Sequence, residues 1–206
     1  MVLFGAIDSG RAEAQLPVDR SSTLSIELTS SYATQSVQPN EKLDGSLRGV
    51  LLQAAHPLGS WIGLQWHYVF EATPYMSTRM GASERRLLEI GPGLRDQYAR
   101  RSGVGFGIAP LGIRMGRPLG DVLTSRTAAM LEMVGGGAHY TRIMPYGEDA
   151  TRNNYSFEAK LMLERRLKAG ALSAGVGLHH ISNGGFGKAN PGINARMVMM
   201  RWTRRY

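Results

Sequence analysis

The residues best suited to chemistry lie near the C-terminus, in His179-His180-Ile181-Ser182-Asn183-Gly184-Gly185. His180 and Ser182 stand two positions apart. An imidazole within reach of a hydroxyl can accept its proton and turn the oxygen into a nucleophile. Side chains repeat every two residues along a strand, so on a strand both would project from one face. That face continues Leu172, Ala174, Val176 and Leu178, an apolar row. A reactive pair at the end of an apolar row suits a substrate embedded in membrane. The plainer alternative is a pair of headgroup-level polar residues, which an isolated His-x-Ser would more often be.

Stepping outward from this pair, strict apolar–polar alternation recurs along the chain, and helical periodicity rarely does. Over residues 23–32, Leu24, Ile26 and Leu28 share one face, with Ser25, Glu27 and Thr29 on the other. Over 61–71, Ile62, Leu64, Trp66, Tyr68 and Phe70 alternate with Gly63, Gln65, His67 and Val69. Over 155–165, Tyr155, Phe157, Ala159, Leu161 and Leu163 alternate with Ser156, Glu158, Lys160 and Glu164. Over 171–182, the apolar row above alternates with Ser173, Gly175, Gly177 and His179. Weaker strands are expected at 46–55, 104–115 and 127–141, and a last one at 193–206. The total is about eight, the size of the smallest membrane barrels. Residues 84–90 could form a short helix in a long external loop, burying Leu87, Leu88 and Ile90.

The 206 residues are enough for one domain. No run of about 18 apolar residues offers a transmembrane helix, whereas membrane strands alternate and escape a hydropathy search. A soluble β-barrel that buries its apolar face around a ligand is the alternative. Two features favour the membrane. Links are short near 56–60 and 168–170 but longer near 36–44, 75–102, 143–153 and 183–192, with 118–125 long for the short side. The chain also ends in Tyr206, on the face of Trp202, Met200 and Val198, like the C-terminal signal of outer-membrane proteins. Arg201, Arg204 and Arg205 would then snorkel to the interface. Residues 1–20 are expected to form a tail ahead of a barrel domain at 21–206. Ala12-Glu13-Ala14 before Gln15 has the form of a signal-peptide cleavage site, although the apolar stretch from Met1 to Ile7 is short. A truncated signal peptide and a plain tail both fit.

The net charge of +8 predicts attraction to anions. The basic residues are scattered, without a basic helix or an aromatic RNA-binding signature, so a phosphate-rich membrane surface is preferred to nucleic acid. Cysteine is absent, which removes disulfides and thiolate metal sites. No His/Asp/Glu cluster has metal-ligand spacing, so neither a metal nor a cofactor is expected. The glycines at Gly135-Gly136-Gly137 and at Gly103, Gly105 and Gly107 match no nucleotide loop and read as strand bending. A Gly-x-Ser-x-Gly elbow is missing, against an α/β hydrolase. His67, Glu71, Glu158, Lys160 and Glu164 read as paired interior charges, and His179 as an interior polar residue facing away from His180.

The segment His180-Ile181-Ser182-Asn183-Gly184-Gly185 resembles the His-x-Ser-Asn-(Ala/Gly)-Gly motif of the outer-membrane lipid A 3-O-deacylase (PagL) family, the acyloxyacyl hydrolases. Asn190-Pro191-Gly192-Ile193-Asn194 is similar to the turn and strand start that follow there. Val104-Gly105-Phe106-Gly107-Ile108-Ala109-Pro110-Leu111-Gly112 is similar to the family's middle strand. The resemblance implies an eight-stranded antiparallel transmembrane β-barrel in a Gram-negative outer membrane, inserted by the barrel-assembly machinery. It implies hydrolysis of an acyl ester of lipid A, the lipid part of lipopolysaccharide, without a cofactor. It makes Ser182 the nucleophile and His180 the general base. It makes the Asn183 side chain and the Gly185 N–H oxyanion donors, each typically worth about 3 kcal/mol. One departure stands out. The family's Glu that orients the histidine, twelve residues after the serine, is Asn194 here. A neutral amide can hold an imidazole but cannot stabilise the imidazolium by charge, and in a serine-protease triad the equivalent loss costs about 10⁴ in rate. The expected function is therefore an esterase, with Asn194 orienting His180 in a slower enzyme, another carboxylate taking that role, or the activity altered. The alternative is a non-catalytic barrel with a lipid-binding or structural role.

Overall fold

The computed structural model describes residues 21–36, 41–82, 84–89, 91–93, 95–99, 101–120, 126–144, 151–185 and 192–206. Residues 1–20, with the cleavage-site motif, lie outside these, as do Asn190 and Pro191 of the turn motif. The strands are β1 (Thr23–Ser36), β2 (Glu41–Trp61), β3 (Leu64–Gly81), β4 (Arg101–Pro118), β5 (Thr127–Met144), β6 (Thr151–Leu167), β7 (Gly170–Ser182) and β8 (Ile193–Arg205). Each pairs antiparallel with its sequence neighbour, and β1 closes on β8, giving an eight-stranded barrel. Two short helices, α1 (Glu84–Glu89) and α2 (Arg95–Tyr98), lie between β3 and β4.

The strands run further than the alternation alone suggested. Residues 56–60, expected as a link, continue β2, and the turn falls at Ile62 and Gly63. Both have positive φ, 46° and 73°, the backbone of a two-residue hairpin whose twist matches its strands. Ile62 therefore belongs to the turn and not to the alternating row. The β1–β2 link shrinks to residues 37–40 because both strands extend into the expected loop. α1 matches the expected helix, but Leu88 is 76% exposed, and only Leu87 packs partly against the core. Ile90 lies outside the described residues.

Every outward row is apolar and exposed through its middle: Ile26 and Leu28 on β1, Leu161 and Leu163 on β6, Val176 and Leu178 on β7, Val198 and Met200 on β8. A soluble protein could not leave this belt in water, whereas a bilayer accommodates it. Aromatic residues ring the belt at both ends. Tyr32, Tyr75, Phe106, Tyr155 and Phe157 stand toward the long loops; Trp61, Trp66, Tyr68, Trp202 and Tyr206 stand toward the short turns. Such paired girdles mark the two interfaces of a membrane barrel. No helix among the described residues is long and apolar enough to cross a membrane.

The lumen is filled, not open. Lys160 is fully buried, with its ammonium 2.9, 2.7 and 2.8 Å from carboxylate oxygens of Glu27, Glu71 and Glu158. Those three carboxylates converge as a cation cradle that no sequence spacing announced, and the three donors of the ammonium fill it. Arg201 donates to both oxygens of Glu132, at 2.9 and 2.6 Å, and to Glu27 at 2.7 Å. Arg114 donates to Glu132 and to Gln53, and Gln53 donates to Glu71 and Glu132. Burial of so many charges is tolerable only when each is paired and hydrogen-bonded. Arg201 therefore does not snorkel to the interface as expected. It lies on the opposite face from Trp202 and plugs the lumen. Of the residues expected as interior charges, Glu71, Glu158 and Lys160 join this network. His67 and Glu164 line a small recess at the short-turn end. Toward the long loops the lumen is apolar, with Leu47, Met76, Met80, Tyr140, Ile181 and Met197 packed together.

Gly136 allows one close approach within the wall. A Cβ there would fall 1.9 Å from the Ile108 carbonyl oxygen, beside the irregular β4–β5 pairing between Ile108 and Leu111. Glycine lets the two backbones touch where the sheet bends, in line with the strand-bending role expected from its sequence.

Candidate active site at the lipid-facing rim

The outward row of β7 runs Leu172, Ala174, Val176 and Leu178, all exposed, and reaches His180 and Ser182 at the long-loop end. His180 is half-buried and Ser182 is 7% exposed. Positions two apart on a strand are separated by about 7 Å between Cα atoms, a gap that histidine and serine side chains can close. His179 points the other way, into the lumen, where its Nε2 lies 2.8 Å from the Ser156 hydroxyl. The side chain paired with an outward role and the one paired with an interior role are thus split by strand parity.

β8 pairs His180 directly with Asn194, and the His180 Nδ1 lies 2.8 Å from the Asn194 Oδ1. An amide oxygen only accepts, so Nδ1 carries the hydrogen and Nε2 keeps its lone pair. That tautomer is the one a proton acceptor needs. β6 supplies the other side: Tyr155 stands opposite Ser182 and Phe157 opposite His180, both aromatic and exposed outward.

After Ser182 the chain turns through Asn183, Gly184 and Gly185. Both glycines are left-handed, with φ of 65° and 81°. A Cβ on Gly184 would lie 2.3 Å from the Tyr155 ring, so only glycine lets the turn pass beneath it. Asn183 is fully buried, and its Oδ1 accepts the Gly185 N–H at 3.0 Å. The two expected oxyanion donors are brought together, but the Gly185 N–H is turned onto its neighbour. Donation to a substrate oxyanion requires that bond to be exchanged. Tyr155 is a member of the site that sequence reasoning left in an alternating row; its register opposite Ser182 was the missing signal.

The site also holds a second histidine–amide pair. His139 on β5 lies opposite Asn153 on β6, with Nδ1 2.7 Å from Oδ1, and its ring meets Phe106 at 5.5 Å between centroids. Thr141, two positions on along the same row, carries a hydroxyl, but that hydroxyl donates to the Val104 carbonyl oxygen at 3.1 Å and accepts the Val104 N–H at 3.2 Å.

A closed barrel with an apolar outer belt, paired aromatic girdles, a sealed lumen and a polar cluster on its outward rim is a β-barrel of the bacterial outer membrane. Its fold is similar to the crystal structure of the outer membrane enzyme PagL, with a TM-score of 0.57, 14% identity, and coverage of 86% of this chain and 97% of that one. It is also similar to the outer membrane protein OprG from Pseudomonas aeruginosa, with a TM-score of 0.50, 5% identity, and coverage of 90% and 95%. At these identities the likeness is one of fold. Residues 121–203 match the family described as lipid A 3-O-deacylase (PagL), a stretch that contains His180, Ser182 and Asn194. The chain is thus recognised as similar to the PagL family. No curated protein sequence matches it.

Proposed function

We propose that this protein is an esterase that hydrolyses an acyl ester of lipid A in the outer membrane of a Gram-negative bacterium. Ser182 attacks the ester carbonyl while His180 Nε2 takes the hydroxyl proton. His180 then gives that proton to the departing alkoxide, and water releases the fatty acid from the acyl-serine with the same histidine as base. Asn194 positions the imidazole. Asn183 and the Gly185 N–H receive the oxyanion once the bond between them is exchanged. The single observation that best supports this reading is the His180–Asn194 hydrogen bond at the end of a lipid-facing row, which leaves Nε2 free to accept a proton, with Ser182 two positions on along the same row. A nucleophile at the rim end of an outward apolar row suits a substrate that lies in the bilayer. Insertion is expected to depend on the barrel-assembly machinery, in keeping with a closed membrane barrel.

The test is the acylation pattern of lipid A, by mass spectrometry, in cells with and without the protein. Loss of one acyl chain in the presence of the wild type, and not of Ser182→Ala, is the expected result. An unchanged pattern with folded protein would leave the non-catalytic barrel as the better reading. Deacylation by Ser182→Ala would overturn the nucleophile assignment.

A further inference from the structure

The outward rows are not uniform around the barrel. On β8, Arg196 follows Asn194 by two positions on the same row, opposite Leu178 of β7 and Ala33 of β1. On β2, Arg48 lies opposite Ser30 of β1 and Ser77 of β3. On β3, Arg79 is one row step nearer the long loops than Ser77. All three are exposed and outward. The buried glutamates all point into the lumen, away from these arginines. The matching outward positions of β4 to β7 carry no charge and include Phe106, Ile108, Gly137, Tyr155, Phe157 and Leu178. The His180–Asn194 couple stands at the seam between the basic and the apolar sides.

A guanidinium facing hydrocarbon is disfavoured unless it reaches the interface and meets an anion there. Arginine presents a planar fork of donors that matches a phosphoryl group in two parallel hydrogen bonds. We propose that Arg196, Arg48 and Arg79 form a phosphate-binding stripe that seats the phosphorylated headgroup of the membrane lipid, while its acyl chains lie against the uncharged β4–β7 side. The inference deepens the esterase reading and rests on it. The stripe spans three strand spacings, about 14 Å, so it can engage more than one phosphoryl group of a large headgroup. Arg196, nearest the couple, would set which ester reaches Ser182.

Binding separates this inference from catalysis. The full chain carrying Ser182→Ala, folded in neutral detergent micelles, is titrated with bis-phosphorylated lipid A and with the same lipid after enzymatic removal of its phosphates. Each of Arg196→Gln, Arg48→Gln and Arg79→Gln, and the triple variant, is compared. A basic residue near a charged membrane surface contributes about fivefold in affinity. Dephosphorylation is therefore expected to weaken binding on the order of 100-fold with all three arginines, and not at all in the triple variant. The residues are exposed, and heat-modifiable gel migration verifies that each variant is folded. A triple variant that still prefers the phosphorylated lipid overturns the proposal. Loss of lipid binding to millimolar inorganic phosphate would assign the stripe to free phosphate and overturn the headgroup assignment. Arginine-dependent lipid binding by a wild-type protein that releases no fatty acid would sink the esterase reading and leave the stripe standing.

Discussion

Asn194→Asp changes one terminal group on the side chain that meets the His180 ring and leaves its length unchanged. The Nδ1 to Oδ1 distance is 2.8 Å, so the new charge would sit about 4 Å from the centre of the imidazolium that forms during reaction. At that separation an ion pair is worth about 1 kcal/mol in water and about 4 kcal/mol at an effective dielectric constant of 20. The couple is level with Tyr155 and Phe157 of the interfacial girdle, where water meets the membrane surface, which places the site toward the watery limit. A gain of about 1–2 kcal/mol in the transition state corresponds to roughly 5- to 30-fold in kcat. Asn194→Leu removes the acceptor and frees the ring, and kcat should fall by about 10²- to 10⁴-fold with KM little changed. Both are read from initial rates of fatty-acid release from purified lipid A in detergent micelles. A folded Asn194→Leu protein working at the wild-type rate would refute the premise that this amide oxygen sets the imidazole.

Other outcomes follow from the same coordinates. Lys160→Met leaves three carboxylates without their cation and should cost about 3–5 kcal/mol, measured as a lower urea midpoint in detergent or lipid. Gly184→Ala forces the Tyr155 ring aside and should lower fatty-acid release by about 10-fold or more through displacement of the turn. Gly185→Ala meets open space and should cost only the left-handed backbone term, about 1–2 kcal/mol, seen in the same unfolding assay. Lipids brominated near the headgroup should quench tryptophan fluorescence more strongly than lipids brominated at the chain end, because Trp61, Trp66 and Trp202 stand in the short-turn girdle. Stronger quenching from the chain end would contradict that placement.

The fold was legible because period-two alternation is a local property, and eight such segments with uneven links leave few architectures. Where reading failed, the missing quantity was register. Trp61 and Ile62 look alike in an alternating string, yet one ends β2 and the other turns the chain with positive φ. Arg201 reads as one of three terminal arginines, yet its odd position sends it inward beside Met197 and Met199. That parity was available in the sequence and was outweighed by proximity to the membrane edge. The candidate site was half legible. His180, Ser182 and Asn183 form one contiguous motif, and strand parity separated His180 from His179. The contact between His180 and Asn194 depends on which residues of β7 and β8 face each other, and the roof over Gly184 depends on Tyr155 from a third strand. The cradle around Lys160 gathers groups from widely separated segments, beyond any spacing rule.

That cradle has a consequence for how the molecule is built. Glu27, Gln53, Glu71, Arg114, Glu132, Lys160 with Glu158, His179 and Arg201 come from β1 through β8 in turn. A sheet missing its last strand would hold Glu27 and Glu132 without Arg201, and a strand displaced by one residue would send its charge into hydrocarbon. Four carboxylates and three cations each find all their partners only in the finished ring. The buried ions thus favour the closed, correctly registered barrel over an incomplete or misaligned one, which would leave charges unpaired in a dry interior.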